Sequence, residues 1–247
     1  MHQNRHWPKA AINHRTCGTL AAFVECDYER RLKITCKAIL FDMDGTLVDS
    51  TAVVEHAWAW WAKRHQFPLE EILKFSHGRP TVSTFEHFLP GADHALELAE
   101  MLAYEETELD GVRAVPGAEL AVQAAQQGAW AVVTSAPRKL AVTRIAAAGL
   151  PVPNVLVPID EIHRGKPDPE GFLLAAEKLG INPSECLVFE DTRPGIEAAL
   201  NAGMQVIGLL TTMAADDLAH QHLARDFRDV RVTALAAGFE VVVHAAR

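Results

Sequence analysis

The chain has 247 residues, of which 49% are hydrophobic and 22% charged, as is typical of a globular protein with one large domain or a large and a small one. Its formal net charge of −9 argues against nucleic acid as a partner, because phosphate backbones are bound through clustered Lys and Arg. No apolar run approaches the length of a membrane span, so no membrane partner is expected. The four cysteines lack zinc-ligand spacing and suit a reducing compartment. We therefore expect a cytoplasmic protein.

The first 35 residues differ from the rest of the chain. Up to Val24 they carry three basic residues and no acid, as in organellar transit peptides, but the apolar stretch 20–24 is too short for a secretory signal and Glu25 follows it. Neither targeting interpretation is favoured. We expect residues 1–35 to form a poorly ordered N-terminal extension, because recognisable core patterns begin only near Cys36.

The most informative motif follows the apolar run Ala38–Phe41. This run predicts a strand buried on both faces of a parallel sheet, and Asp42 and Asp44 follow at its carboxyl end, where open α/β sheets bind ligands. Side chains two positions apart point the same way on a strand, and Gly45 allows a sharp turn. We therefore expect both carboxylates in one small volume, binding a cation or sharing a proton. Alone, such a pair also fits a solvated turn or a helix cap.

After this motif the hydrophobic pattern becomes helical. Val54, Trp58 and Trp61 follow one stripe at helical spacing, so the tryptophans are expected to pack in a helical core rather than bind a cofactor. Further short helices are predicted over residues 68–75, 81–89 and 92–108. The result is a small helical bundle whose two connections to the rest of the chain, near 49–52 and 110–116, are expected to act as hinges that close it over a site.

Polar residues also follow two later apolar runs. Thr134 and Ser135 come directly after one run, Glu190 and Asp191 come after another, and between them Lys166 precedes a predicted helix. These elements are predicted over residues 130–133, 186–189 and 170–179. Taken singly, Thr134 or the acidic pair could cap a helix, and Lys166 could be a solvated loop lysine. Because the carboxyl ends of parallel strands meet at one edge, we expect all these groups to converge.

Together these residues resemble the four motifs of the haloacid dehalogenase superfamily of phosphotransferases. The matching positions are the run Asp42-x-Asp44-Gly45-Thr46, Thr134, Lys166 and the pair Glu190-Asp191, and the likeness covers about residues 36–210. It implies an α/β fold with a doubly wound, Rossmann-like parallel-sheet core and an inserted small helical cap domain. The implied bounds are residues 36–52 and 111–247 for the core and 53–110 for the cap.

The resemblance also implies a mechanism for hydrolysing a phosphate monoester. Asp42 is the expected nucleophile, which forms an aspartyl phosphate, and Asp44 is the acid that protonates the leaving oxygen and then the base that activates water. The Thr134 hydroxyl and the Ser135 backbone N–H are expected to bind phosphoryl oxygens. Lys166 is expected to supply positive charge against the phosphate and the nucleophile.

The expected cofactor is Mg²⁺, a hard ion that prefers oxygen ligands. The implied ligands are Asp42, Asp191 and the backbone carbonyl of Asp44, with Glu190 assisting through water. Buried carboxylates without a cation would be costly, which favours a metal at this place.

Within the superfamily the residues favour a cap-bearing phosphatase for small sugar or polyol phosphates. A dehalogenase needs neither the metal nor a second acid at Asp44. A β-phosphoglucomutase-like mutase is the main alternative, but that family places a histidine twelve residues beyond the nucleophile, where this chain has Val54. A non-catalytic binding module on the same fold would usually lack an essential group, and here all are present.

The cap segment 76–79 resembles sugar phosphatases and glycerol-phosphate phosphatases. His77 and Arg79 are therefore candidate substrate contacts, although an arginine here could also lie on the surface at a helix start. The expected partner is a small-molecule phosphate ester. We expect a monomer, because the cap needs free space to move.

Overall fold

The computed structural model describes residues 31–76 and 81–244. From Leu32 onward the described residues form one compact unit. Residues 1–30 of the predicted extension, and the candidate substrate contacts His77 and Arg79, lie outside the described residues. None of the helices in the part of the chain described here is long and apolar enough to cross a membrane.

The described chain alternates strands and helices for most of its length. In chain order the strands are β1 (Arg31–Cys36), β2 (Ala38–Phe41), β3 (Val48–Asp49), β4 (Arg113–Ala114), β5 (Ala129–Val133), β6 (Leu156–Val157), β7 (Cys186–Glu190), β8 (Gln205–Leu209), β9 (Leu223–Ala224), β10 (Val230–Leu235) and β11 (Gly238–His244). The helices are α1 (Thr51–His65), α2 (Leu69–Ser76), α3 (Thr81–Phe88), α4 (His94–Thr107), α5 (Ala118–Ala125), α6 (Arg138–Ala147), α7 (Glu170–Leu179), α8 (Arg193–Asn201) and α9 (Ala215–Leu218).

A six-stranded sheet lies at the centre of the fold, and its pairs are all parallel, in the order β6-β5-β2-β7-β8-β9. The chain starts in the middle at β2, winds outward to β6, then returns to β7 and winds the other way. This is the doubly wound order, and its ligand site is expected where the winding reverses, at the carboxyl ends of β2, β5 and β7. The predicted fold class is confirmed.

Strand β2 shows why the apolar run Ala38–Phe41 predicts a buried strand. All four of its residues are fully buried. Ile39 and Phe41 pack into the cluster that contains helices α5 and α6, whereas Ala38 and Leu40 pack into the cluster that contains α7 and α8. Helices cover both faces of the sheet, so an alternating polar pattern would be unfavourable at this position.

Helices α1 to α4 form a separate apolar cluster between β3 and β4. Trp58, Trp61, Phe85 and Met101 are buried in it, as the helical spacing of the tryptophans predicts. The indole N–H of Trp61 donates to a carboxylate oxygen of Glu97 at 2.8 Å, which satisfies the polar end of this buried ring. The chain enters these helices after β3 and leaves them before β4, and β3 and β4 pair with each other as antiparallel strands. We call residues 51–107 the helical insert.

A second, smaller sheet joins the two ends of the described chain. Its order is β1-β11-β10. Residues 31–35, which the sequence pattern assigns to a poorly ordered extension, lie in β1, so the predicted boundary at residue 36 is wrong. The physical reason is the alternation of Ile34 and Cys36, which face the core, with polar neighbours. In β11, Phe239, Val241 and Val243 are buried in the same way.

Candidate active site

Asp42, Lys166 and Glu190 form a buried charged cluster at the ends of β2 and β7. The Lys166 ammonium donates hydrogen bonds to Asp42 Oδ1 and to Glu190 Oε1, the second at 2.5 Å. Burial alone would lower the pKa of Lys166, but the two carboxylates outweigh it and the net pKa is raised. Burial raises the pKa of Asp42 well above its usual range, Lys166 opposes this shift, and Glu190 and Asp191 add to it.

Glu190 uses both carboxylate oxygens within the protein. Oε1 accepts from Lys166, and Oε2 accepts from the backbone N–H and the hydroxyl of Thr192, at 2.8 and 2.9 Å. Thr192 also caps helix α8. A Cβ atom on Gly195 would lie 1.7 Å from Glu190 Oε1, so only glycine lets the start of α8 approach this carboxylate. Both oxygens of Glu190 thus already have partners within the protein, whereas the family resemblance implies that Glu190 assists a metal through water.

Asp191 lies beside the loop that follows β2. The Thr46 hydroxyl donates to Asp191 Oδ1 at 2.8 Å, whereas Oδ2 is buried and makes no well-formed hydrogen bond among the described residues. Burial, then the charge of Glu190, raise the pKa of Asp191 to about 7, and the nearby hydroxyls of Thr212 and Thr46 oppose this shift. Gly45 has φ +81°, and a Cβ atom there would lie 2.1 Å from Asp191 Oδ2. The turn at Gly45 therefore brings backbone against this carboxylate oxygen.

The loop after β8 also contacts this site, which the sequence did not predict. The Thr211 hydroxyl donates to the backbone carbonyl of Gly45, and the hydroxyl oxygen of Thr212 lies 2.5 Å from where a Cβ atom on Gly45 would be. Threonines after a parallel strand are a weak sequence signal, because such residues commonly occur in turns.

The Asp44 side chain has a different partner from the one that the sequence pattern predicts. Its side chain is paired with Arg144, whose Nη1 donates to both carboxylate oxygens at 3.0 Å, and no hydrogen bond joins it to Asp42 among the described residues. The two carboxylates therefore do not share a proton directly in this structure, and joint binding of a cation stays a prediction. Spacing along the strand does not determine the direction of Asp44, because the turn at Gly45 follows at once and a buried guanidinium attracts the carboxylate.

Arg144 and Glu105 are two further site residues that sequence reasoning missed. The Arg144 side chain is only 4% exposed, and its Nη2 donates to Glu105 Oε2 at 3.2 Å. Arg144 lies on α6 and Glu105 on α4 of the helical insert. Arg144 is 100 positions away from Asp44 along the chain, and neither residue belongs to a recognisable motif.

Thr134 and Ser135 lie at the carboxyl end of β5. Thr134 is buried, and its side-chain oxygen accepts a hydrogen bond from the backbone N–H of Ala136 at 3.0 Å, which leaves its own O–H proton for a ligand. Ser135 is exposed. A small cavity is lined by both residues together with Lys166 and Phe172. The structure therefore brings Thr134, Ser135 and Lys166 to one place, as the convergence of strand ends predicts. Lys166 joins Asp42 to this group.

A sequence model of the haloacid dehalogenase-like hydrolases matches residues 36–203 of this chain. The chain belongs to this hydrolase family. Hexitol phosphatase A of Escherichia coli (strain K12) is 43% identical to it over 179 residues, which make up 70% of this chain and 83% of that protein. Validoxylamine A 7'-phosphate phosphatase of Streptomyces hygroscopicus subsp. limoneus is 38% identical over 204 residues, or 79% of this chain and 96% of that protein.

The fold comparison agrees with the sequence comparison. The crystal structure of a HAD hydrolase, family IA, variant 3, from Entamoeba histolytica matches with a TM-score of 0.71 and 28% identity, over 79% of this chain and 95% of that one. The family resemblance inferred from the four motifs is confirmed.

The carboxylates of this hydrolase suit a hard divalent cation. Asp42, Glu190 and Asp191 are three buried carboxylates, and the Lys166 ammonium contacts two of them, Asp42 and Glu190. Asp191 Oδ2 is buried and makes no well-formed hydrogen bond among the described residues, and oxygen atoms are the donors that Mg²⁺ prefers. The described side chains do not themselves surround a common point with three acidic, His or Cys ligands. A cation bound here would therefore need backbone oxygen atoms or water as further ligands.

Proposed function

We propose that this hydrolase is a Mg²⁺-dependent phosphatase of small sugar or polyol phosphate monoesters that works through an aspartyl phosphate. The observation that carries the proposal is the buried Asp42 carboxylate at the switch point of the sheet, hydrogen bonded to Lys166 and next to the strand end that presents Thr134 and Ser135. The identity to a hexitol phosphatase supports a polyol phosphate as the substrate class.

Asp42 is the nucleophile. A carboxylate oxygen of Asp42 forms a bond to phosphorus while the bond from phosphorus to the ester oxygen breaks, which gives an acyl phosphate and the alcohol. Water then attacks the phosphorus, the bond to Asp42 breaks, and inorganic phosphate leaves. Lys166 offsets negative charge on Asp42 and on the phosphoryl oxygens during both steps.

Asp44 supplies the proton to the leaving alkoxide and takes one from the attacking water in the second step. The Thr134 hydroxyl and the Ser135 backbone N–H hold phosphoryl oxygens. Asp42, Asp191 and the backbone carbonyl of Asp44 would hold Mg²⁺, which would supply positive charge against the phosphoryl group.

The helical insert is proposed to act as the cap, with bounds 53–110, on a core of residues 36–52 and 111–247. Its support is the pairing of β3 with β4, which places both connections side by side. His77 and Arg79 remain proposed substrate contacts. The protein is proposed to act as a monomer on a small-molecule ester, and Val54, at the position where mutases of this fold have histidine, argues against a mutase.

The test is phosphate release from hexitol, hexose, glycerol and nucleotide monophosphates, with Mg²⁺ and with EDTA. We expect Mg²⁺-dependent release from polyol or hexose phosphates, loss of release in an Asp42→Asn variant that still folds cooperatively, and acid-stable capture of phosphate on the wild-type protein only. Interconversion of sugar phosphates without release would indicate a mutase. Metal-independent release, or full activity of Asp42→Asn, would reject the mechanism.

A further inference from the structure

The contact between the helical insert and the core contains a chain of charges that centres on the buried Arg144 and ends at the proposed acid and base, Asp44, which is 31% exposed. Glu105 on α4 accepts from Arg144 on α6 at 3.2 Å, and Arg144 donates to both oxygens of Asp44 at 3.0 Å. Helices α4 and α6 pack directly against each other, and Leu102 on α4 packs against the apolar core cluster. One side chain of the core therefore holds Asp44 and contacts the insert at the same time.

The two carboxylates are the partners of the Arg144 guanidinium. Its side chain is 4% exposed, and its Nε has no hydrogen-bond partner among the described residues. Removing one partner from a buried charge is costly, because water cannot replace it. The position of Arg144 thus depends on Glu105, and the position of Asp44 depends on Arg144.

A neighbouring ion pair on the same two helices provides a comparison. Lys139 on α6 donates to Glu106 on α4 at 2.5 Å, but the Lys139 side chain is 77% exposed and the pair makes no contact with Asp44. Exposed pairs of this kind contribute little to stability. The two pairs therefore join the same helices, and only the buried one reaches the active site.

We propose that Arg144 is a positioning residue for Asp44 and that Glu105 makes this positioning depend on the contact between α4 and α6. Asp44 then has the orientation required for proton transfer only while the insert lies against the core. The inference rests on the proposed function, because it assigns Asp44 its acid and base role. Through Glu105 and Arg144, closure of the insert over the core and proton transfer by Asp44 are linked.

The experiment compares two leaving groups in Glu105→Gln, Arg144→Lys and the control variants Glu106→Gln and Lys139→Gln. A hexitol monophosphate needs a proton on its leaving alkoxide, whereas p-nitrophenyl phosphate leaves as a stabilised phenolate and needs little help. The value of kcat/KM reports the steps up to departure of the leaving group. General acids contribute about 10²- to 10⁴-fold to such steps, so mispositioning should cost about 10- to 100-fold.

We expect this loss in kcat/KM for the hexitol phosphate in both Glu105→Gln and Arg144→Lys. For p-nitrophenyl phosphate we expect a change of less than about threefold, since acid assistance matters little there. The control variants should show no change with either substrate. Glu105→Gln keeps the shape of the side chain, so it tests the idea even if Arg144→Lys folds poorly. Equal losses on both substrates, or full activity or higher activity in Glu105→Gln, would overturn the inference. A wild-type protein that releases phosphate from neither substrate would instead refute the proposed function, and this role with it.

Discussion

Asp191 should make the stability of the metal-free protein depend on pH in an unusual direction. Its pKa is raised to about 7, chiefly by burial, from an ordinary value of 3.8. Between these values the folded protein keeps a proton that the unfolded chain has released. Unfolding therefore releases a proton, and the free energy of unfolding falls as pH rises from about 4 to about 7.

The size of the effect follows from the difference of about three pH units. At about 1.4 kcal/mol per unit it amounts to about 4 kcal/mol, which is an upper limit because Asp42 lies close enough to titrate together with Asp191. Asp191→Asn carries no charge at any pH. At pH 4 the side chain at this position is neutral in both folded proteins. The free energy of unfolding of the variant minus that of the wild type should therefore rise progressively as pH approaches 7.

The assay is urea unfolding at pH 4, 5, 6, 7 and 8 in EDTA, repeated with Mg²⁺ at each pH. The difference between variant and wild type isolates Asp191 from other titrating groups, such as His222, whose lowered pKa acts in the opposite direction. Mg²⁺ should stabilise the wild type most above pH 7 and the variant little. A difference that stays constant with pH, or equal stabilisation of both proteins by Mg²⁺, would refute the reasoning.

Three further predictions concern the surroundings of this carboxylate. Gly45→Ala should be more destabilising than Gly180→Ala. Both glycines have positive φ, which costs alanine about 1–2 kcal/mol, but only at Gly45 would the new Cβ lie 2.1 Å from Asp191 Oδ2. Equal losses in the free energy of unfolding, measured in urea, would contradict this. Lys166→Met should destabilise the protein by about 3–5 kcal/mol at pH 8, because it leaves buried carboxylates without their cation. It should also abolish phosphate release. An active or fully stable variant would show that Lys166 does not neutralise charge at this site. Thr46→Val should lower the free energy of unfolding by about 1–3 kcal/mol, because it removes the hydrogen bond to Asp191. It should also weaken Mg²⁺ binding about 10- to 100-fold. Unchanged Mg²⁺ affinity in a calorimetric titration would show that this hydrogen bond does not orient Asp191.

The sequence predicts those parts of the fold and site that depend on local pattern. The run Ala38–Phe41 is apolar at every position because helices cover both faces of β2, and the predicted helix 170–179 matches α7 in both bounds. Convergence of Thr134 and Lys166 follows from the parallel order of the strands alone.

Other parts depend on partners that are far apart in the chain. The direction of Asp44 is determined by Arg144, and the placement of Arg144 by Glu105, yet a buried arginine cannot be distinguished from an exposed one by its neighbours in sequence. Glu190 likewise turns to Lys166 and Thr192, because a buried carboxylate takes the nearest donors. The β10–β11 hairpin has the alternation of a half-buried strand, but its partner β1 lies about 200 residues earlier, so local pattern cannot assign it to this sheet.

The pairing of β3 with β4 makes the helical insert a replaceable module. Val48 lies opposite Ala114 and Asp49 opposite Arg113, so the two points at which the chain leaves and re-enters the core are one strand spacing apart, about 5 Å. Any segment whose ends meet at that spacing can be joined to the core without moving β2, β5 or β7. Recombination between residues 50 and 112 should therefore leave the core sheet intact, but it has to keep an acid at the position of Glu105 if Arg144 is to hold Asp44. Grafting the corresponding segment from a relative, with the acid at position 105 kept, would test whether the insert selects the substrate as proposed.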